Sequence, residues 1–237
     1  MWIASFCLLP LLLWQGYYVR QSALRLPDAV PPDCGRFGRF AAELMIVGVG
    51  DSVITGTGIS VLSDSLTARV AQALAERFSI GVNWRSFGIS GGKLEDVLAR
   101  IKEEPLPRAE IYLVSIGVND VTGLTSLVRW QKQVAELVTL FDERALILML
   151  GVPPMQYFPA LPWPLRQVLG IRAALLDKTL RGAAETVERF VWFDASVGFD
   201  LRYLAEDGYH PNDLACVEIA MKIVDALILD GKQPKIE

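Results

Sequence analysis

The chain alternates between short apolar runs and stretches in which apolar residues recur at helical spacing. The apolar runs predict strands buried on both faces, and they cover residues 43–50, 81–88, 109–117, 144–153 and 191–196. The amphipathic stretches predict helices, and they cover residues 64–78, 93–103, 125–141, 164–190 (with a possible break at Gly170) and 212–229. This regular alternation predicts an α/β domain with a mostly parallel sheet and helices on both faces.

Small and polar residues follow the predicted strands. The first strand ends in "GDS" (50–52), the second in "GISGG" (88–92) and the third in "GVND" (117–120), while "DGYHPND" (207–213) leads into the last helix. Sites in such sheets lie outside the carboxyl ends of the strands. We therefore expect these segments to meet at one edge of the sheet.

The glycines after the first strand do not fit two well-known phosphate sites. A dinucleotide fingerprint needs a third glycine where this chain has Val53. A phosphate-binding loop needs lysine after its last glycine, but Gly56 is followed by Thr57. The remaining interpretation is a serine, Ser52, held at a strand-to-helix turn.

A serine hydroxyl needs a base to become a nucleophile, and the base needs an orienting group. His210 is the single histidine of the chain, and Asp207 precedes it by three residues with Gly208 between them. One loop can then present both side chains, with the carboxylate on one ring nitrogen and the other nitrogen facing Ser52. Ser52, His210 and Asp207 are therefore the candidate catalytic residues.

Acyl transfer also needs hydrogen-bond donors for the oxyanion that forms on the carbonyl. The backbone N–H groups of Ser52 and Gly91 and the side-chain amide of Asn119 are the candidate set. Glycine at position 91 would let the backbone approach the substrate oxygen without a Cβ in the way. We expect Asp51 and Asp120 to hydrogen-bond loop backbone and to brace the site.

The segments "GDS", "SG", "GVND" and "DGYHP" resemble, in this order, the blocks of the SGNH hydrolases, also called the GDSL esterase/lipase family. The resemblance runs from about residue 43 to the C-terminal helix. It assigns the nucleophile to Ser52, the glycine of the second block to Gly91, the asparagine to Asn119 and the acid–base pair to Asp207 and His210. Val53 stands where the family name has leucine, a change that does not touch the chemistry.

The resemblance implies a flavodoxin-like, three-layer α/β/α sandwich with about five parallel strands, hydrolysis of esters or thioesters, and no cofactor. We expect a carboxylesterase or lipase-like enzyme that acts on a small-molecule ester, which could be lipid-derived. The same site would suit a carbohydrate O-deacetylase, a thioesterase or a lysophospholipase. A non-catalytic acyl- or glycan-binding module is the alternative from another class, and the intact residue set argues against it.

Each candidate residue also has a purely structural interpretation. Ser52 could cap a helix, Asn119 could be a turn residue beside Gly117, and His210 could be a surface residue before a helix. Asp207 is a credible functional residue only together with His210. The catalytic interpretation therefore rests on the whole set rather than on any one residue.

Composition and charge limit the classes of partner and ligand that we expect for this protein. The 237 residues carry a formal net charge of −4 and contain no long run of lysine and arginine, so we expect no nucleic-acid partner. Three scattered cysteines indicate no disulfide framework. Together with a single histidine they give no cluster of metal ligands.

Residues 1–20 are strongly apolar and uncharged up to Arg20. The segment could be a membrane anchor, with Trp14, Tyr17 and Tyr18 as interfacial aromatics. It could instead be a cleaved signal peptide or a helix packed on the domain. We rank the anchor first and expect a membrane-associated or exported protein, with the side of the membrane open.

The segments outside the predicted elements give two further expectations. Residues 21–42 hold three prolines and several charges and predict a linker, which leaves 43–237 as the hydrolase domain. Residues 151–170 combine five prolines with Tyr157, Phe158 and Trp163 and follow the fourth strand. We hypothesise that this segment lines an acyl pocket or touches a bilayer, with a rigid loop packed on its own domain as the alternative.

Overall fold

The computed structural model describes residues 2–40, 43–194 and 200–229, with side chains from residue 8 onwards. The helices are α1 (Trp2–Ser22), α2 (Leu66–Phe78), α3 (Leu94–Glu103), α4 (Val118–Thr122), α5 (Leu127–Leu140), α6 (Leu165–Thr186) and α7 (Asp213–Leu229). The strands are β1 (Cys34–Phe37), β2 (Glu43–Gly50), β3 (Gly81–Gly88), β4 (Ile111–Ser115), β5 (Leu146–Leu150) and β6 (Phe190–Phe193).

The strands form one six-stranded sheet in the order β1-β3-β2-β4-β5-β6. Strands β2 to β6 pair in parallel, whereas β1 runs antiparallel to β3 at the edge. The order reverses at β2, from which the chain adds β3 on one side and β4 on the other. Such a reversal opens a crevice at the carboxyl ends of the strands, and the candidate residues follow β2, β3 and β4.

Two hydrophobic cores cover the two faces of the sheet. Successive residues of β2 alternate between them, so that Ile46 packs with α2 and α7 whereas Val47 packs with α3, α5 and α6. Both side chains are fully buried. Successive side chains of a strand point to opposite faces of the sheet, so each parallel strand contributes to both apolar layers. The sequence of each of these strands is therefore a continuous apolar run. The three-layer α/β/α prediction is confirmed.

The structure departs from the predicted elements at several points. Helix α6 continues through Gly170, where a Cβ would lie 2.3 Å from Oε1 of Gln156, so the glycine permits close packing and does not break the helix. Strand β6 ends at Phe193, and the last residues of the predicted strand, 195 and 196, lie outside the described residues. The short helix α4 and strand β1 were not predicted.

The predicted linker, residues 21–42, contributes to the folded domain where it is described. Strand β1 pairs with β3, the N–H of Ala29 donates to the carbonyl of Thr55, and Val30 forms a bridge with Val61. Helix α1 packs on α6. Among the helices of the described residues, none has the length and apolar character of a transmembrane span.

Candidate active site

Ser52 lies in a tight turn directly after β2. Gly50 has φ +153°, and a Cβ there would lie 1.8 Å from the carbonyl oxygen of Ser115, so only glycine lets the two strand ends approach this closely. The carbonyl oxygen of Ser52 accepts from the N–H of Thr57 at 2.9 Å. The N-cap position of the next helix is Ser65. Ser52 is therefore held in a turn and does not cap a helix.

The loop before α7 holds Asp207 and His210 together. Oδ1 of Asp207 accepts from the backbone N–H groups of Tyr209 and His210, at 2.9 and 3.0 Å. Gly208, which directly follows Asp207, has φ +66°, a conformation that glycine adopts without strain. The carboxylate thus closes the turn with one oxygen and leaves the other for the imidazole.

The side chains of Ser52, His210 and Asp207 form a continuous chain of hydrogen bonds. Nδ1 of His210 lies 2.6 Å from Oδ2 of Asp207, and Nε2 lies 2.8 Å from Oγ of Ser52. A neutral imidazole that donates from Nδ1 to the carboxylate has its lone pair on Nε2 directed at the serine hydroxyl. The arrangement can therefore take the hydroxyl proton of Ser52.

Electrostatics keep the carboxylate of Asp207 ionised. Burial alone would raise its pKa, since only 6% of the side chain is exposed. The hydrogen bond from the His210 ring, the two backbone N–H groups and the charge of the imidazole together lower the pKa below its usual value. A negative charge fixed beside Nδ1 stabilises the imidazolium that forms when His210 accepts a proton.

Candidate oxyanion donors line the same cavity as Ser52 and His210. Gly91 has φ +71°, and a Cβ there would meet no protein atom within 4 Å. Nδ2 of Asn119 donates to the carbonyl oxygen of Gly92 at 3.0 Å, which uses one of its two hydrogens. Within the described part of the chain, the backbone N–H groups of Ser52 and Gly91 donate to no protein acceptor. The structure thus brings all five sequence-predicted residues to one cavity or its immediate border.

Comparison with known proteins identifies the family. Residues 49–215 match the family described as GDSL-like Lipase/Acylhydrolase, which covers the segment from the end of β2 to the start of α7. The chain belongs to the GDSL-like lipase/acylhydrolase family.

Individual relatives of this GDSL-like chain are distant. It is 25% identical over 149 residues to the GDSL-like esterase Rv1075c of Mycobacterium tuberculosis (strain ATCC 25618 / H37Rv), a match that covers 62% of this chain and 47% of that protein. The chain thus spans about half the length of this curated relative.

Two solved structures share the fold. One is the lipase Lip_vut3 from a goat rumen metagenome, with TM-score 0.64 and 19% identity, covering 77% of this chain and 97% of that one. The other is the lipase/acylhydrolase from Enterococcus faecalis, with TM-score 0.63 and 19% identity, covering 81% and 98%.

Two buried carboxyl groups brace the site of this member of the GDSL-like family. Asp120 accepts from the N–H of Leu94 at 3.0 Å and from Oγ1 of Thr125 at 2.8 Å, and Asp51 accepts from the N–H of Val53 at 3.2 Å. Burial, with a smaller contribution from the charge of Asp120, raises the pKa of Asp51 to about 7. These are the bracing contacts expected from the sequence.

The cavity beside Ser52 is large and mostly apolar. Its volume is about 580 Å³, within the range of small-molecule sites. Its walls include Ile116, Val118, Leu150 and Phe158 at the carboxyl ends of β4 and β5 and beyond. A space of this size and character accommodates an acyl chain.

Sequence reasoning missed one wall of the cavity. Leu24, Arg25 and Leu26, from the segment after α1, line it together with Tyr203 and Leu204 from the loop before α7. These positions carry no motif and no regular spacing, and only long-range packing brings them to the site. The predicted contribution of residues 151–170 is seen in Gly151, Pro153 and Phe158, which line the cavity.

Phe158 also supports the loop that carries His210. Its ring meets the ring of Tyr209 edge-on, with centroids 4.8 Å apart. The other aromatics of the same segment point outwards, since Tyr157 is 59% and Trp163 is 66% exposed. The segment therefore has one aromatic in the cavity wall and two on the surface.

Proposed function

We propose that this protein hydrolyses carboxylic esters through an acyl-enzyme on Ser52, with His210 as the base and Asp207 as its orienting group. The observation that carries the proposal is the pair of hydrogen bonds of His210, 2.8 Å from Nε2 to Oγ of Ser52 and 2.6 Å from Nδ1 to Oδ2 of Asp207. Both distances are short enough for proton transfer between the hydrogen-bonded atoms.

In the first half of the reaction, Oγ of Ser52 attacks the ester carbonyl carbon while its proton passes to Nε2 of His210. The carbonyl π electrons move to the oxygen, which the N–H groups of Ser52 and Gly91 and the amide of Asn119 stabilise. The intermediate then expels the alcohol, which takes the proton back from Nε2. Ser52 is left acylated.

In the second half, a water molecule gives a proton to Nε2 of His210 and attacks the acyl carbon. Collapse of the second tetrahedral intermediate breaks the bond to Oγ, which recovers the proton from the imidazolium. The carboxylic acid leaves and the free enzyme is restored. Asp207 stays ionised throughout and stabilises the imidazolium in both halves.

We further propose that the preferred substrate is a lipid-derived ester. A cavity of about 580 Å³ with several aliphatic and aromatic walls beside Ser52 supports a substrate with an extended acyl chain. An acetyl group would leave most of that apolar surface uncovered, and burial of apolar area is the main source of binding energy in such a pocket. Thioesters and acetylated sugars remain substrates that the same chemistry could serve.

The test is hydrolysis of p-nitrophenyl esters from acetyl to long acyl chains by the full chain and by Ser52→Ala. A matched control is Ser60→Ala, because Ser60 is exposed and lies on the same loop. We expect turnover by the parent and the control, none above background by Ser52→Ala, and a kcat/KM that rises with chain length. Equal turnover by Ser52→Ala would overturn the mechanism, and a maximum at acetyl would overturn the substrate proposal.

A further inference from the structure

Helix α1 exposes a large apolar surface. Leu13 is 66%, Trp14 60% and Tyr17 66% exposed, and Leu9 and Tyr18 are exposed beside them. Large apolar side chains in one patch on a folded domain mark an interaction surface. We call the patch formed by Leu9, Leu13, Trp14, Tyr17 and Tyr18 the docking face.

The opposite side of α1 is already occupied by the domain. This side carries Leu12, Gln15 and Val19 at helical spacing. Leu12 and Val19 pack against the hydrophobic core that includes α6. Gln15 is buried, its Nε2 donates to the carbonyl oxygen of Trp163 at 2.8 Å, and its Oε1 accepts from the N–H of Leu165 at 3.2 Å. The amide thus joins α1 to the first turn of α6, and this attachment fixes the docking face outwards.

The composition of the docking face matches a membrane–water interface. Trp14 and Tyr18 stack with ring centroids 5.7 Å apart, and Tyr17 is exposed on the same helix. Tryptophan and tyrosine prefer the headgroup level of a bilayer, because one part of the side chain is apolar and another forms hydrogen bonds.

The charge around the docking face is complementary to anionic lipids. Between residues 2 and 27 the sequence has Arg20 and Arg25 and neither aspartate, glutamate nor lysine. Arg20 lies in the last turn of α1, beyond the aromatics. A basic side chain near an anionic membrane surface is attracted to the lipid headgroups and strengthens binding.

The same segment connects the docking face to the cavity. The chain leaves α1 at Ser22 and enters the cavity wall at Leu24, Arg25 and Leu26. Ser52 and His210 line the same cavity. A bilayer held against the docking face would therefore lie only a few residues along the chain from one wall of the cavity that holds Ser52.

We propose that the docking face binds the surface of an anionic lipid bilayer and delivers membrane-borne esters to the cavity beside Ser52. The catalytic consequence rests on the proposed ester hydrolysis, whereas the binding itself does not. The proposal places α1 along the membrane plane, because its inward side is committed to α6.

The binding test uses the full chain carrying Ser52→Ala, so that no lipid is consumed. It measures co-sedimentation with vesicles of phosphatidylcholine alone and of phosphatidylcholine mixed with phosphatidylglycerol. In this background, Trp14→Ser with Tyr17→Ser removes two aromatics of the docking face. The matched control, Val128→Ser with Leu214→Ser, removes two exposed apolar side chains from other helices.

We expect the protein with the unsubstituted docking face and the control variant to sediment with mixed vesicles. The partition coefficient of the Trp14/Tyr17 variant should be lower by a factor of about ten or more. Arg20→Gln should weaken binding to mixed vesicles and leave binding to phosphatidylcholine unchanged. Circular dichroism of each variant checks that the exposed substitutions leave the fold intact.

Three results would overturn the proposal. The first is equal sedimentation of the Trp14/Tyr17 variant and its control, and the second is the absence of sedimentation of the unsubstituted protein with either vesicle. The third is a dimer in lipid-free solution that the Trp14/Tyr17 variant dissociates without any vesicle binding, which would assign the face to a second copy.

An activity arm separates this proposal from the hydrolysis itself. With Ser52 restored, the Trp14/Tyr17 variant should hydrolyse soluble p-nitrophenyl acetate as the parent does and lose hydrolysis of a long-chain ester embedded in mixed vesicles. Vesicle binding without hydrolysis of any ester would leave the docking face established and would refute the proposed chemistry instead. Equal hydrolysis of the embedded ester by the variant and the parent would contradict delivery through the docking face.

Discussion

Nε2 of His210 lies 2.8 Å from Oγ of Ser52 across a sequence separation of 158 residues. The two residues belong to loops at the same edge of the sheet, one after β2 and one before α7. Each loop is closed by its own backbone hydrogen bonds, so the contact joins two preformed turns.

Asp207→Asn should lower kcat by about 10³- to 10⁴-fold with little change in KM. An asparagine can keep the hydrogen bond to the ring only by favouring the wrong tautomer, and it supplies no charge to stabilise the imidazolium. Glu206→Gln is the control, because Glu206 is the neighbouring exposed acid. Steady-state kinetics on a soluble ester measure both parameters, and an equal loss in the two variants would contradict the role of Asp207.

Activity should fall on acidification, by about tenfold per pH unit at the acid limit, as a single group takes up a proton. A protonated imidazole cannot accept the proton of Ser52. Asp207 does not supply this limb, because its pKa is lowered below the usual carboxyl range. The measurement is kcat/KM across pH, with circular dichroism at each point to exclude unfolding; a rate that does not fall on acidification would count against the scheme.

Asn119→Ala should reduce kcat by about 10²- to 10³-fold, the usual effect of removing one oxyanion donor. The loss should appear in kcat and leave KM nearly unchanged, because the donor acts on charge that develops in the transition state. Thr122→Val on the same short helix α4 controls for disturbance of that helix. A rise in KM alone would indicate ground-state binding and not oxyanion stabilisation.

Asp51→Asn should stabilise the fold at neutral pH and have little effect near pH 4. Burial raises the folded-state pKa of Asp51 from 3.8 to about 7. The folded state therefore binds the proton more tightly than the unfolded state, and the wild-type protein loses stability as pH rises through this interval. The slope is about 1.4 kcal/mol per pH unit for one group, and above about pH 7 the loss is complete.

Urea unfolding of wild type and Asp51→Asn at several pH values measures this effect. The asparagine oxygen can still accept from the N–H of Val53, so the turn keeps its hydrogen bond. Asp33→Asn is the control, because its side chain is 56% exposed. A stability difference between Asp51→Asn and wild type that does not change with pH would refute the assignment.

The sequence was sufficient to predict the parallel strands and the residues that meet at their ends. Runs such as residues 43–50 are apolar because both faces of the sheet are covered, and the glycine, serine and asparagine blocks follow those runs directly. Strand β1 was missed because "CGRF" is short and polar and pairs at the sheet edge. Its placement depends on β3, which no local pattern in residues 34–37 reveals.

At the site, too, the sequence predicted the residues that are paired by local spacing and missed those placed by long-range packing. Asp207 and His210 are three residues apart and share one turn, so local spacing was enough to pair them. Leu24 and Leu26 reach the cavity only because Gln15 fixes α1 on α6 and the following chain pairs with residues near Thr55 and Ser60. A contact that depends on several packed elements leaves no signature in the spacing of either partner.

Covalent labelling with a fluorophosphonate probe reports directly whether Ser52 is an activated nucleophile, because the probe reacts with an activated serine and needs no knowledge of the substrate. Mass spectrometry of the full chain, Ser52→Ala and His210→Ala locates the adduct. We expect one adduct on Ser52 in the parent, none in Ser52→Ala and strongly slowed labelling in His210→Ala. An unlabelled parent, or the same labelling in parent and Ser52→Ala, would contradict it.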